Sequence, residues 1–233
     1  MYYPMYYMFD PTYVLIIIGV LISLGASAKL RSTYQQYAGV RSRCGMTGEE
    51  AARRLLQSQG IYDVTIRRVH GNLTDHYDPR TKTVNLSDSV YGSTSIAAIG
   101  VAAHECGHAM QDAQDYGPLR LRSALVPVAN FGAQLSWPLI IIGLLLGGSS
   151  LISLGILLFS LAVLFQLVTL PVEYNASHPA VTLLDSIGIL QGQEVGQTRK
   201  VLHAAALTYV AAAAGSILQL LRLLILFGNR RDD

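Results

Sequence analysis

Apolar residues in this chain gather into long uninterrupted runs near both ends and through the centre, with shorter alternating patterns between them. Residues 123–172 form fifty consecutive positions without Asp, Glu, Lys or Arg. One membrane span needs roughly 20 apolar residues, so this stretch is long enough for two, at about 131–148 and 151–170. Gly147-Gly148-Ser149-Ser150 lies between them and supplies the residues of a tight turn. A core helix of a soluble protein keeps a polar face, and residues 151–170 offer only Ser153, Ser160, Gln166 and Thr169 for one. A third span is expected at 11–30, with 14–24 as its apolar centre. Ala26-Ser27-Ala28 resembles a signal-peptidase site, but residues 1–13 carry no Lys or Arg. A signal peptide wants a basic start, so an uncleaved anchor is the better reading. The Ala-rich stretch 203–227 is a fourth candidate, with Gln219 and Arg222 inside it. Arg near the middle of a span costs roughly 2.5–3.5 kcal/mol. This helix therefore either lies along the interface or packs within a bundle.

Between the first and second runs the pattern changes. Residues 45–60 read as a short amphipathic helix, with Thr47 as N-cap, Glu49 and Glu50 in the first turn, and Gly60 as terminator. Residues 61–69 and 83–86 alternate as strands, and Asp75-His76-Tyr77-Asp78-Pro79-Arg80 reads as a turn. A helical pattern runs from Ser95 to about Asp112.

Composition supports contact with lipid: 51% of residues are hydrophobic and 14% charged, against about a quarter charged in soluble domains. A net charge of +2 without a basic, aromatic-interleaved cluster argues against a nucleic-acid partner. Cys44 and Cys106 form neither a CxxC pair nor a disulfide ladder, which fits a reducing compartment. Lys29, Arg31, Arg41, Arg43, Arg53 and Arg54 follow the first span, whereas residues 1–13 hold no basic residue. Positive loops stay in the cytoplasm, which places residues 30–122 and 171–202 there. Arg230-Arg231 conflicts with this direction if the last helix spans. The sequons at Asn72, Asn85 and Asn175 then carry no glycan.

His104-Glu105-Cys106-Gly107-His108 carries the chemistry. Residues four apart share one helix face, so His104 and His108 can direct both imidazoles at one metal ion. Glu105 is one step around and can reach a water on that ion. Ala97, Ala98, Ile99, Val101, Ala102 and Ala103 precede the pentad and bury its helix. Cys106 projects about 160° away from both histidines and reads as a small buried residue. A catalytic zinc needs three protein ligands and an open position. A metzincin continuation would place Gly and His where Gln111 and Gln114 stand. Glu173 is the sole glutamate between Glu105 and Glu194. A lone carboxylate emerging from fifty uncharged residues is costly unless partnered, and zinc would be that partner. Pro171 opens a new helix on this reading, although Pro179 should interrupt it. His178, His203, Asp112 and Asp115 are alternative third ligands.

The segments LTDHYDPRTKTVNLSDSVYGSTSIAAIGVAAHECGHAMQDA, LRLRSALVPVANFG, SWPLI, LPVEYNAS and AALTYVAA resemble the YugP-type neutral zinc metallopeptidases of bacterial membranes, over nearly the whole chain. More distantly the chain is similar to the HtpX and CAAX-prenyl-protease type of gluzincin, whose HExxH is followed by a Glu ligand in a Glu-x-x-Ala-Asp motif. The resemblance implies Glu173 as third ligand. Ser177 stands where those relatives have Asp, so that carboxylate is missing here. The implied architecture is mostly α: three or four integral membrane helices with a small cytoplasmic α+β zincin-like lobe around the HExxH helix. It would form a single metallopeptidase domain over 1–233, with the lobe at about 31–122 and 171–202.

The expected activity is endopeptidase cleavage of membrane or membrane-proximal proteins, in quality control or regulated processing, at the bacterial inner membrane, using one Zn2+ per chain. Such an ion polarises the scissile carbonyl and lowers the pKa of a water. Glu105 would take that water's proton and pass it to the leaving amine. His203, Tyr209 and His76 are candidates for oxyanion stabilisation or substrate binding. Residues 83–86 either pair with an extended substrate as an edge strand or form an ordinary strand of the sheet. The alternative is a proteolytically silent zinc-binding membrane scaffold. A transporter would want ionisable residues inside its spans, and the first three have none apart from Lys29 at the end of the first.

Overall fold

The computed structural model describes residues 10–228. Seven helices and three strands follow one another as α1 (Tyr13–Ala38), α2 (Gly48–Ser58), β1 (Thr65–Val69), β2 (His76–Asp78), β3 (Thr83–Ser87), α3 (Asp88–Tyr91), α4 (Ile96–Ala113), α5 (Gly117–Leu146), α6 (Ser149–Ser186) and α7 (Gln193–Phe227). The chain is mostly helical, with one small sheet. α1, α5, α6 and α7 are each long and apolar enough to cross a membrane.

The described chain divides into two compact units. One takes residues 10–26, 122–168 and 208–228; the other takes 27–121 and 169–207. In the first unit, α5 and α6 meet at a two-residue turn where Gly147 adopts φ +70°, a conformation that glycine enters without steric cost. Large apolar side chains face outward: Leu145 is 80% exposed and Phe131 is exposed on α5, and Ile17, Leu21, Leu157 and Ile225 are exposed on the other helices. Exposed apolar surface of this extent is characteristic of membrane and protein interaction surfaces. The start of α1 lies against the end of α7, where Arg222 donates to Thr12 Oγ1 at 3.1 Å and Asp10 Oδ2 at 3.2 Å. The same guanidinium stands 4.4 Å from the Tyr13 ring centroid. The charge that weakened the last run as a span is thus paired with an acid. Arg230 and Arg231, which bore on the direction of that helix, lie outside the described residues.

The second unit has an α+β core. Thr47 caps α2 through the reciprocal bonds of a capping box with Glu50, and Ser95 caps α4 through the Ala98 amide. Ala51, Leu55, Val84, Leu86, Ala98, Ala102, Cys106 and Leu184 pack into one buried cluster. The sheet order is β1-β3-β2, with β1 parallel and β2 antiparallel to β3. One expectation is corrected here: the segment Asp75–Arg80 contains a strand, because Tyr77 is drawn into pairing with Val84. Of the two roles open to residues 83–86, β3 takes that of an ordinary sheet strand, since it is central and Val84 and Leu86 are fully buried.

The expected helix restart at Pro171 is also corrected. α6 runs unbroken for 38 residues through Pro171 and Pro179. Each proline removes one hydrogen bond of the ladder, and the helix continues through both. α1 and α5 likewise continue well beyond their apolar runs, to Ala38 and back to Gly117.

The Arg222 contacts make a stability prediction. Asp10→Ala and Arg222→Met should each destabilise the detergent-solubilised protein, and the double variant should lose less than their sum. A measurable coupling is expected from a thermal-unfolding double-mutant cycle; strict additivity would show the pair to be inert.

Candidate metal centre

The HExxH pentad lies within α4, whose two faces do different work. Ala98, Ala102, Cys106 and Ala109 enter the apolar core, and the Cys106 thiol approaches the Ala52 carbonyl at 3.6 Å. Burial pushes that thiol's pKa well above its ordinary value, which suits a packing residue and not a metal ligand. On the other face, His104 and His108 stand with ring centroids 4.8 Å apart.

α6 delivers the third side chain. Glu173 is 1% exposed, and its Oε2 lies 3.2 Å from His104 Nε2 and 3.5 Å from His108 Nε2. The ligating atoms of these three residues all fall within 4.8 Å of one another. They form the one such group of three or more metal-binding side chains among the described residues.

The helices can approach because Gly107 occupies the crossing. A Cβ built there would stand 2.1 Å from the Ala176 carbonyl oxygen, so any side chain would force the backbones apart. Both imidazoles are held from behind. His104 Nδ1 is 2.9 Å from Ser177 Oγ, and His108 Nδ1 is 3.0 Å from Gln111 Oε1.

Residues 12–228 match the family model described as "Putative neutral zinc metallopeptidase". The chain is 49% identical over 212 residues to a Bacillus subtilis (strain 168) protein named "Putative membrane protease YugP", covering 91% of this chain and 94% of that one. The chain belongs to this zinc metallopeptidase family. No solved structure matches it.

The donor set fits the family's metal. Two imidazole nitrogens and a carboxylate oxygen are a ligand combination of catalytic zinc sites, and each ring presents its Nε2 to the shared carboxylate. A ligating histidine ordinarily has its other nitrogen held by a neighbouring acceptor, and both do here. The acidic residue missing at Ser177 is replaced by a hydroxyl in contact with His104. Glu105, the pentad's carboxylate, is 7% exposed.

Other sequence candidates lie outside the group. Asp112 accepts from the Tyr77 hydroxyl at 2.8 Å, and Asp115 pairs with Arg120. His178 and His203 are exposed. His76 is exposed on β2, its Nδ1 3.0 Å from the Thr74 carbonyl. Tyr209 is half-buried and belongs to the other compact unit. A groove of about 340 Å3 is lined by Gln59, Gly107, Gln111, Gln114, Asn175 and His178, among others, and by none of the three convergent side chains.

Gln111 is the residue that sequence reasoning passed over. It served there only to exclude a metzincin continuation. Its position three residues beyond His108 puts it on the same helix face, and that spacing was the available signal.

Gly107→Ala tests the crossing. Overpacking against a backbone carbonyl should cost about 3 kcal/mol or more. Thermal unfolding should show the loss, and metal analysis should show reduced zinc; a protein unchanged in both would refute the close approach.

Proposed function

We propose that the chain is a membrane-embedded zinc endopeptidase, with His104, His108 and Glu173 as metal ligands and Glu105 as general base. The observation that carries this reading is the convergence of two imidazoles and a buried carboxylate from two separate helices. When bound, zinc supplies a Lewis acid and lowers the pKa of a water. Glu105 accepts the proton of the attacking water and returns it to the leaving amine. The dry surroundings of α4, where Ala102, Ala103 and Cys106 are essentially inaccessible, strengthen every charge interaction at the site.

Glu173 follows closely on the apolar run 151–170 in the sequence, which fits a substrate at the membrane surface. By the distribution of basic residues the site faces the cytoplasm of a bacterial cell, across its inner membrane. Substrates would be membrane or membrane-proximal proteins presented as extended segments. β3 is paired on both sides, so such a segment would add to the outer edge of β2. Tyr77 ties that strand to Asp112, one turn beyond His108.

The reading predicts a separation of metal from activity. In detergent, wild type should hold one zinc per chain and cleave an unfolded reporter protein. Glu105→Gln should keep its zinc and lose cleavage by about 10²-fold or more, and Glu173→Ala should lose both. Unchanged cleavage by zinc-loaded Glu105→Gln would overturn the assignment and favour a silent scaffold.

A further inference from the structure

We propose that Gln111 is a positioning residue for the metal centre: it fixes the tautomer of His108 and joins that histidine's helix to the main chain beside Glu173. The inference rests on the metal reading above and concerns how the ligands are preset before an ion arrives.

Its orientation follows from one atom that cannot change roles. The Val172 carbonyl oxygen only accepts hydrogen bonds, and Gln111 Nε2 stands 2.8 Å from it. The amide nitrogen must therefore point to α6. Its second N–H has an acceptor in Asn175 Oδ1 at 2.9 Å. With both donors committed, Oε1 is left facing His108 Nδ1 at 3.0 Å. An amide oxygen accepts, so Nδ1 carries the proton, and in the neutral ring Nε2 keeps its lone pair. Nε2 is the atom directed at Glu173, 3.5 Å from its Oε2.

Orientation thus passes from the backbone next to one ligand to the ring of another. Gln111 is 3% exposed, so water competes little for these bonds. Ser177 cannot do the same for His104, because a hydroxyl serves as donor or acceptor with equal ease. It holds the ring without choosing the tautomer. Val172 and Asn175 also bracket Glu173 along α6, so the same amide sets how closely the carboxylate approaches the two imidazoles.

The test is zinc affinity, measured by chelator competition on folded apo-protein, with apo thermal unfolding as the control. Gln111→Met keeps the side chain's length and removes every hydrogen bond; its zinc affinity should fall about 10- to 100-fold. Gln111→Glu keeps an acceptor for His108 and loses the donors to α6, so it should lie between wild type and Gln111→Met. A residue that only fills space predicts the reverse order, with the uncharged Met variant nearer to wild type. That order, or wild-type affinity in Gln111→Met, overturns the proposal. Should neither variant fold, exposed Asn175→Ala takes their place: weakened zinc binding is expected, and unchanged binding overturns the proposal. Wild type without zinc would instead refute the metal reading itself.

Discussion

Glu173 is a carboxylate with almost no access to solvent, placed against two imidazoles from another helix. Removing an ionised carboxylate from water costs several kcal/mol unless charge and hydrogen bonds compensate. A divalent cation held between the carboxylate and the two imidazole nitrogens would be suitable compensation, and it would require α4 and α6 to stay in register. Gly107 admits the contact and Gln111 ties it, while the Ala-rich face of α4 holds that helix to α2 and the sheet. A displacement of either helix would leave the carboxylate buried without its partners.

The division of labour along α4 follows from helical geometry. Positions 98, 102, 106 and 109 turn toward the core, and 104, 108 and 111 turn toward α6. Small residues on the core face bring the helix close to β3. The length of α6 gives the second constraint its reach. A helix of 38 residues is about 57 Å long, nearly twice the hydrocarbon thickness, so one element supplies both an apolar run and the buried carboxylate of Glu173. An ion bound by groups from both helices stabilises the folded state by mass action.

Much of this was legible in the sequence. The pentad, its dry helix, the cap at Thr47 and the long apolar runs are local patterns, and each appears in the structure. Glu173 stood out because so few acids were available, and family resemblance singled it out further. The continuity of α6 was not legible, since proline propensity argues for a break at Pro171 and Pro179. β2 was hidden in a segment of turn-forming residues, where pairing with β3 decided the outcome. The central place of β3 depended on two nonlocal pairings, which alternation cannot reveal. Gln111 was invisible as a contact because its partners, Val172 and Asn175, lie some sixty positions away.

The most direct test of the metal centre is the zinc X-ray absorption spectrum of the detergent-purified protein. The account predicts nitrogen and oxygen ligands at about 2.0–2.2 Å, with imidazole scattering and no sulfur. A Zn–S distance near 2.3 Å would place a cysteine on the metal and contradict the assignment of His104, His108 and Glu173.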